Sequence, residues 1–320
     1  MKEKDLYEDL VRFYEFQLGK MPERVEFKRA LATSFTKRDL RAFFLLPFLG
    51  SIAEEKLERK AVKAGIAIEE LHETLGRLVP LGVIDSYVKK SVRVYERAMV
   101  IGLLECQARV KDDTPLRAVC TKVMNAFIEG HTDAIPTKTP YYRVLPVQAT
   151  LTGESETGEV AVNAVVPDSR EVLPIDVVSE MIKKEPLIAV ADCYCRSTKR
   201  ILGEGCEHPL ETCFYFNELA QVKLGTGLAR QVDYEEAIRI LRECEEDGLV
   251  HNVSNCKGQI QTLCNCCTCC CGVMKAVLRG QTNVESPSRY QSELIEEPSI
   301  LVNEDDDVCP VGAIIVTTRF

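Results

Sequence analysis

Six cysteines, Cys264, Cys266, Cys267, Cys269, Cys270 and Cys271, fall within eight consecutive residues. No packing requirement asks for that density of thiols, whereas metal ligation does, because the thiolate is a strong, soft donor. Upstream lies a sparser set, Cys193, Cys195, Cys206 and Cys213, whose count equals the four thiolates of an iron–sulfur cubane. Cys193 and Cys195 flank Tyr194, and Arg196 follows at once. Read as an extended segment, this stretch turns both thiols the same way, toward one metal centre. Cys206 and Cys213 belong to a loop kept irregular by Gly203, Gly205 and Pro209. Zinc is the alternative, since four thiolates also close a tetrahedral site. Zinc sites favour C-x2-C knuckles, however, and the upstream set has gaps of one, ten and six residues, which points to a [4Fe-4S] cluster.

Immediate chain neighbours point apart, so about four of the six downstream thiols are expected to ligate a second centre. Gly272 and an apolar helix follow, placing that centre near a helix N-terminus, where backbone N–H groups favour negative charge. Two residues are candidates to support the sulfurs rather than ligate: Arg196, which would screen thiolate charge, and His251, which precedes the dense run and could donate to cluster sulfur. Cys106, Cys120 and Cys244 stand alone on apolar helical faces and read as small core hydrophobes.

The elements that position these residues suggest an α+β protein of several domains, as 320 residues exceed one ordinary core. Residues 1–98 read as a helical, winged-helix-like domain. Helices over 4–18 and 24–33 are followed by one capped by Thr36 and stopped by Pro47; Ser51 and Glu54 suggest a capping box for a helix over 52–62, and Ile68, Leu71, Leu75 and Leu78 mark another. Val83 and Ile84, then Val92 to Tyr95, read as a hairpin. Residues 99–142 form a helical connector and linker, 143–284 the cysteine-rich region and 285–320 a tail. Within 143–284, Arg143–Leu151 and Val160–Val166 read as strands, Ile175–Lys184 as a helix and Pro186–Ala191 as the strand delivering Cys193. Asp233 and Glu236 open a helix that Gly248 ends.

The net charge of −9, and eight acidic residues against one Arg between Glu285 and Asp307, argue against nucleic acid or an anionic membrane as partner. The would-be recognition helix carries Glu69, Glu70 and Glu73 against Arg77, a face that phosphates would repel. A protein contact, such as homo-oligomerisation through the N-terminal region, suits it better. Neither a secretory h-region nor an apolar run of membrane-spanning length is present, so a cytoplasmic location is expected. There 15 cysteines, an odd number, point to metal rather than disulfides. Oxidation of exposed thiolates suggests an anaerobic host. No Gly-rich dinucleotide fingerprint or phosphate loop occurs.

Several stretches together resemble a family of 4Fe-4S-binding proteins of anaerobic bacteria and archaea. They are Arg143 to Val147, Cys193 to Arg196 with Cys206 and Cys213, Gly248 to His251, the N-C-C-x-C-C-C run of Asn265 to Cys271, and Cys309 to Ile314, similar to the end of a ferredoxin motif whose other cysteines are missing. The resemblance implies cluster binding and electron transfer. The resulting expectation is a carrier of single electrons, a subunit or accessory of an anaerobic redox enzyme that works with a redox partner protein. No residue constellation in the sequence supplies a substrate pocket or catalytic residues. A cluster-based redox or iron sensor working through the winged-helix region, and a zinc-stabilised interaction protein, are the competing expectations.

Overall fold

The structure, a computed structural model, describes residues 5–130, 140, 142–145, 178–255, 260–281 and 285–286. The strand expected over 160–166, the greater part of the linker, and the tail from residue 287 onward, with Cys309, lie outside the described residues, as does Cys256.

The protein is α+β. Three helices, α1 (Leu6–Leu18), α2 (Arg24–Ser34) and α3 (Lys37–Leu45), open the chain. Thr36 caps α3 in a reciprocal box with Asp39. Strand β1 (Ile52–Ala53), helices α4 (Glu54–Lys63) and α5 (Ile68–Leu78), and the hairpin β2 (Ile84–Lys89) and β3 (Val92–Arg97) follow, with the strands in the order β1-β3-β2. The expected Ser51 box does not form. Ile52 and Ala53 pair with Tyr95 and Val94, so α4 begins two residues later than expected, after Ala53 and without a side-chain cap. Glu54 instead accepts a hydrogen bond from the Tyr95 hydroxyl at 2.9 Å. Edge-strand pairing has outcompeted the local cap.

Two further helices, α6 (Val100–Arg109) and α7 (Pro115–Ile128), join this part to a seven-stranded sheet. Its strands are β4 (Tyr142–Val144), β5 (Ile188–Asp192), β6 (Glu211–Phe216), β7 (Ala229–Val232), β8 (Val250–Ser254), β9 (Thr262–Cys266) and β10 (Glu285–Ser286), in the order β10-β4-β8-β9-β6-β5-β7. All pairs are antiparallel except β10 with β4. Helices α8 (Val178–Ile182), α9 (Tyr194–Ile201), α10 (Asn217–Gly225), α11 (Tyr234–Glu246) and α12 (Gly272–Leu278) complete it.

Side chains alternate across the sheet. Ala189, Ala191, Cys213 and Tyr215 face one way and extend the core of the N-terminal helices, so the helical and cysteine-rich regions share one continuous apolar interior. Ile188, Val190, Phe214, Phe216 and Leu263 face the other way, onto Ala237, Ile240, Leu241 and Cys244 of α11. Cys244, fully buried there, has its thiol pushed up to about 12 by burial, and Cys106 and Cys120 are buried likewise. These three do behave as core.

A buried ion cluster fastens the two regions. Glu105 of α6 accepts from Lys223 Nζ of α10 at 2.7 Å, from the Tyr215 hydroxyl of β6 at 3.0 Å and from Arg109 at 3.3 Å. Arg109 also donates to the Asp192 carbonyl, just before Cys193, at 2.7 Å. Among the described residues no helix is long and apolar enough to cross a membrane.

Candidate metal centres

The ten cysteines of the two sequence sets come together, but in a different partition from the one their spacing suggests. Strand β9 decides it. Cys264 and Cys266, two apart, share one face of β9, while Asn265 between them and Cys267 after them take the other. The register sets Cys264 directly opposite Cys213 on β6.

On the first face six sulfurs close a ring. Cys193 contacts Cys195 and Cys213; Cys195 contacts Cys271; Cys271 contacts Cys266; Cys266 contacts Cys264; and Cys264 contacts Cys213. Five are buried, and Cys264 is partly so. Cys193 lies at the N-cap of α9 and Cys271 at the N-cap of α12. The Cys193–Cys195 segment is therefore helical rather than extended: the helix begins at Tyr194, with Ser197 N–H bonded to the Cys193 carbonyl at 2.8 Å. Gly272 opens α12, where a Cβ would stand 3.2 Å from Ile128 Cα, so a larger residue would press α12 and α7 apart by a few tenths of an ångström.

The acidities of the six thiols are split by their mutual contacts. Cys193, Cys264 and Cys271 accept S–H bonds from both ring neighbours and lie below the ordinary thiol value, Cys264 at about 6. The Arg196 charge adds to this at Cys193, and the Met274 backbone N–H at Cys271. Cys195, Cys213 and Cys266 donate and are pushed up.

On the opposite face Cys206, Cys267, Cys269 and Cys270 gather, with all four sulfurs within 4.8 Å of one another. This group can hold a metal ion. Cys206 thus leaves the upstream set and joins the downstream one. His208, in the same loop, is tied to Asp247 at 2.6 Å.

Arg196 stands between the two groups, fully buried. It donates to Cys267 Sγ at 3.7 Å, to the Asn265 carbonyl at 3.1 Å, and to the Thr212 hydroxyl. Burial alone would weaken its charge, but the neighbouring sulfurs of Cys193, Cys267 and Cys213 outweigh that and hold it above the usual guanidinium value. Its Nε has no partner among the described residues, an uncommon state for a buried N–H and one that suits a further acceptor among the sulfurs.

His251 does not reach sulfur. Its Nδ1 lies 2.5 Å from Asn265 Oδ1 and its Nε2 3.0 Å from Glu245 Oε1, so both ring nitrogens are used. It orients Asn265, which donates to the Thr212 carbonyl at 2.7 Å and thereby braces β9 against β6. Asn265, Thr212 and Arg109 escaped the sequence reading. Parity along β9 could have singled out Asn265; Arg109 has a local partner in Glu105, four residues before it, but Asp192 and Tyr215, which tie it to the sheet, lie 83 and 106 residues away.

No protein-family profile, curated protein or solved structure matches this chain.

Proposed function

We propose that the protein is an iron–sulfur carrier of single electrons, with its cluster site at the ring of Cys193, Cys195, Cys213, Cys264, Cys266 and Cys271. The observation that carries this reading is the closed, buried ring of six thiols, which includes no carboxylate or imidazole. All-sulfur donor sets suit iron–sulfur clusters and other thiophilic centres. A [4Fe-4S] cluster held by four of the six would supply reversible one-electron chemistry.

The chain's own residues do the rest. Arg196 and Arg109, both buried, offset the negative charge that thiolates carry, which raises the potential of a centre they surround. The apolar core around the ring excludes water. A redox partner protein is the implied acceptor or donor. The resemblance to 4Fe-4S-binding proteins of anaerobes supports the same reading. The N-terminal region suits protein contact better than DNA: Arg77 of α5 is bound to Asp39 of α3, and Arg38 to Glu70, which leaves the face of α5 acidic.

Anaerobic purification followed by iron, acid-labile sulfide and zinc analysis, with EPR after reduction, tests the proposal. Iron and sulfide in matching amounts with a reducible cluster signal are expected. Colourless protein with zinc and no sulfide would overturn it. DNA binding at low salt that falls steeply as salt rises would favour a regulator instead.

A further inference from the structure

We infer that Cys206, Cys267, Cys269 and Cys270 form a separate mononuclear site for one tetrahedral thiophilic dication of the zinc class. It is independent of the six-thiol ring in composition, face and nuclearity, and does not rest on the iron–sulfur reading of that ring.

The first argument is size. Four thiolates about 2.3 Å from one tetrahedral ion stand roughly 3.8 Å from each other. Here Cys206 and Cys270 are 3.6 Å apart, and no pair of the four exceeds 4.8 Å. A cubane places its four ligands on four different irons and spreads them wider.

The second argument is spacing. Cys267 and Cys270 are a C-x2-C pair on a tight turn, closed by Cys271 N–H to the Cys267 carbonyl at 3.2 Å. That is the knuckle zinc favours. It is hidden in the sequence because Cys269 sits inside it. Cys206 completes the set from the loop after α9, and Arg200 fixes it there by donating to the Cys206 carbonyl through Nη2 at 2.9 Å and Nε at 3.2 Å, and to the His208 carbonyl at 3.0 Å. Gly205 is glycine because a Cβ would collide with the Arg200 side chain.

The third argument is charge. Four thiolates around a dication leave two negative charges, and the buried Arg196 donates to Cys267. Cys269 is exposed, so the ion can enter from solvent. A site that ties the loop before β6 to the turn after β9 would lock the sheet faces around the ring.

The test is made on the full-length protein purified anaerobically and supplied with one equivalent of zinc. X-ray absorption at the zinc edge is expected to show four sulfurs at about 2.3 Å with no metal neighbour. Cys206→Ser and Cys269→Ser are each expected to lose one sulfur from that shell, or the ion itself, with iron and sulfide unchanged. Cys269 is exposed, so its variant is expected to fold, which circular dichroism checks. Zinc spectra identical to wild type in both variants would place the ion elsewhere and overturn the inference. So would a loss of iron and sulfide together in Cys206→Ser, which would mean a cluster at these four thiols. Wild-type protein lacking sulfide but retaining this zinc shell would sink the proposed ring cluster alone.

Discussion

Cys213 lies directly across the β6–β9 pairing from Cys264, and that single register position splits ten cysteines into two groups. Residues that share a centre should couple, and residues of different centres should not. A double-mutant cycle on thermal stability of the metal-loaded protein is expected to be strongly non-additive for Cys206→Ser with Cys269→Ser, and additive within about 0.5 kcal/mol for Cys206→Ser with Cys213→Ser. The opposite outcome would restore the grouping of Cys193, Cys195, Cys206 and Cys213.

Arg196 touches both sides of that division. Arg196→Met removes a buried guanidinium with three partners and is expected to lower stability by about 2–4 kcal/mol in denaturant titration. In cluster-loaded protein it should also move the reduction potential to a more negative value, since positive charge near the thiolates is lost. Arg196→Lys keeps the charge but not the fork, so it should rescue the potential better than the stability. Equal rescue of both would show that the hydrogen-bond geometry is unimportant.

That these ten cysteines belong to one part of the fold was legible in the sequence; how they group was not. Cysteines packed this closely can be recognised from spacing alone, but their partition depends on strand parity and on a register between residues 213 and 264, which no local pattern encodes. The Cys267–Cys270 knuckle was visible in principle and masked by Cys269. Local helix signals with apolar periodicity, such as Ile68 to Leu78, matched the structure within a residue or two. Ser51 with Glu54 did not, because pairing of Ile52 with Tyr95 is a long-range contact. The Glu105, Arg109, Tyr215 and Lys223 cluster was invisible for the same reason: its two halves, Glu105 with Arg109 and Tyr215 with Lys223, are more than a hundred residues apart along the chain.

That cluster carries the next expectation. Glu105 holds Arg109 and Lys223, whose side chains are almost wholly buried, so Glu105→Gln leaves two cations facing a neutral group. Breaking a buried pair by removing one partner costs about 3–5 kcal/mol, and urea unfolding should register a loss on that scale. Glu105→Leu with Lys223→Met, which removes both charges, should cost less. A loss below about 1 kcal/mol for Glu105→Gln would mean water already solvates the site.

Acid should weaken the junction between α7, α9 and α12. Glu129 accepts from Lys199 and Lys275, each at 2.6 Å, and these bonds hold its carboxyl down at about 2; Glu204 also faces Lys199 at 2.8 Å. A carboxyl whose folded value lies below its unfolded value of 4.5 stabilises the fold above that value, and the stabilisation fades as pH falls from there toward 2. Because Glu129 is partly exposed, the contribution is about 1 kcal/mol. Glu129→Gln should therefore be less stable than wild type at pH 7 and indistinguishable from it near pH 2, as read by chemical denaturation at each pH. A constant difference across that range would assign the effect to packing.

Gly82 joins the hairpin to α6 where neither side can yield. Its φ is +68°, and an added Cβ would lie 2.5 Å from the Gly102 carbonyl oxygen and 2.6 Å from Cys106 Sγ. Gly82→Ala therefore combines left-handed backbone strain with a clash against backbone, and a loss of roughly 2–3 kcal/mol is expected. Gly65 has a similar φ of +77° but open space around it. Gly65→Ala should thus show the backbone cost alone, about 1 kcal/mol. Thermal unfolding of both variants separates the two contributions, and equal losses would show that α6 shifts freely away from the turn. Since α6 also carries Glu105 and Arg109, only the Gly82 variant should loosen the Asp192 carbonyl from Arg109, visible as faster hydrogen exchange at the start of α9.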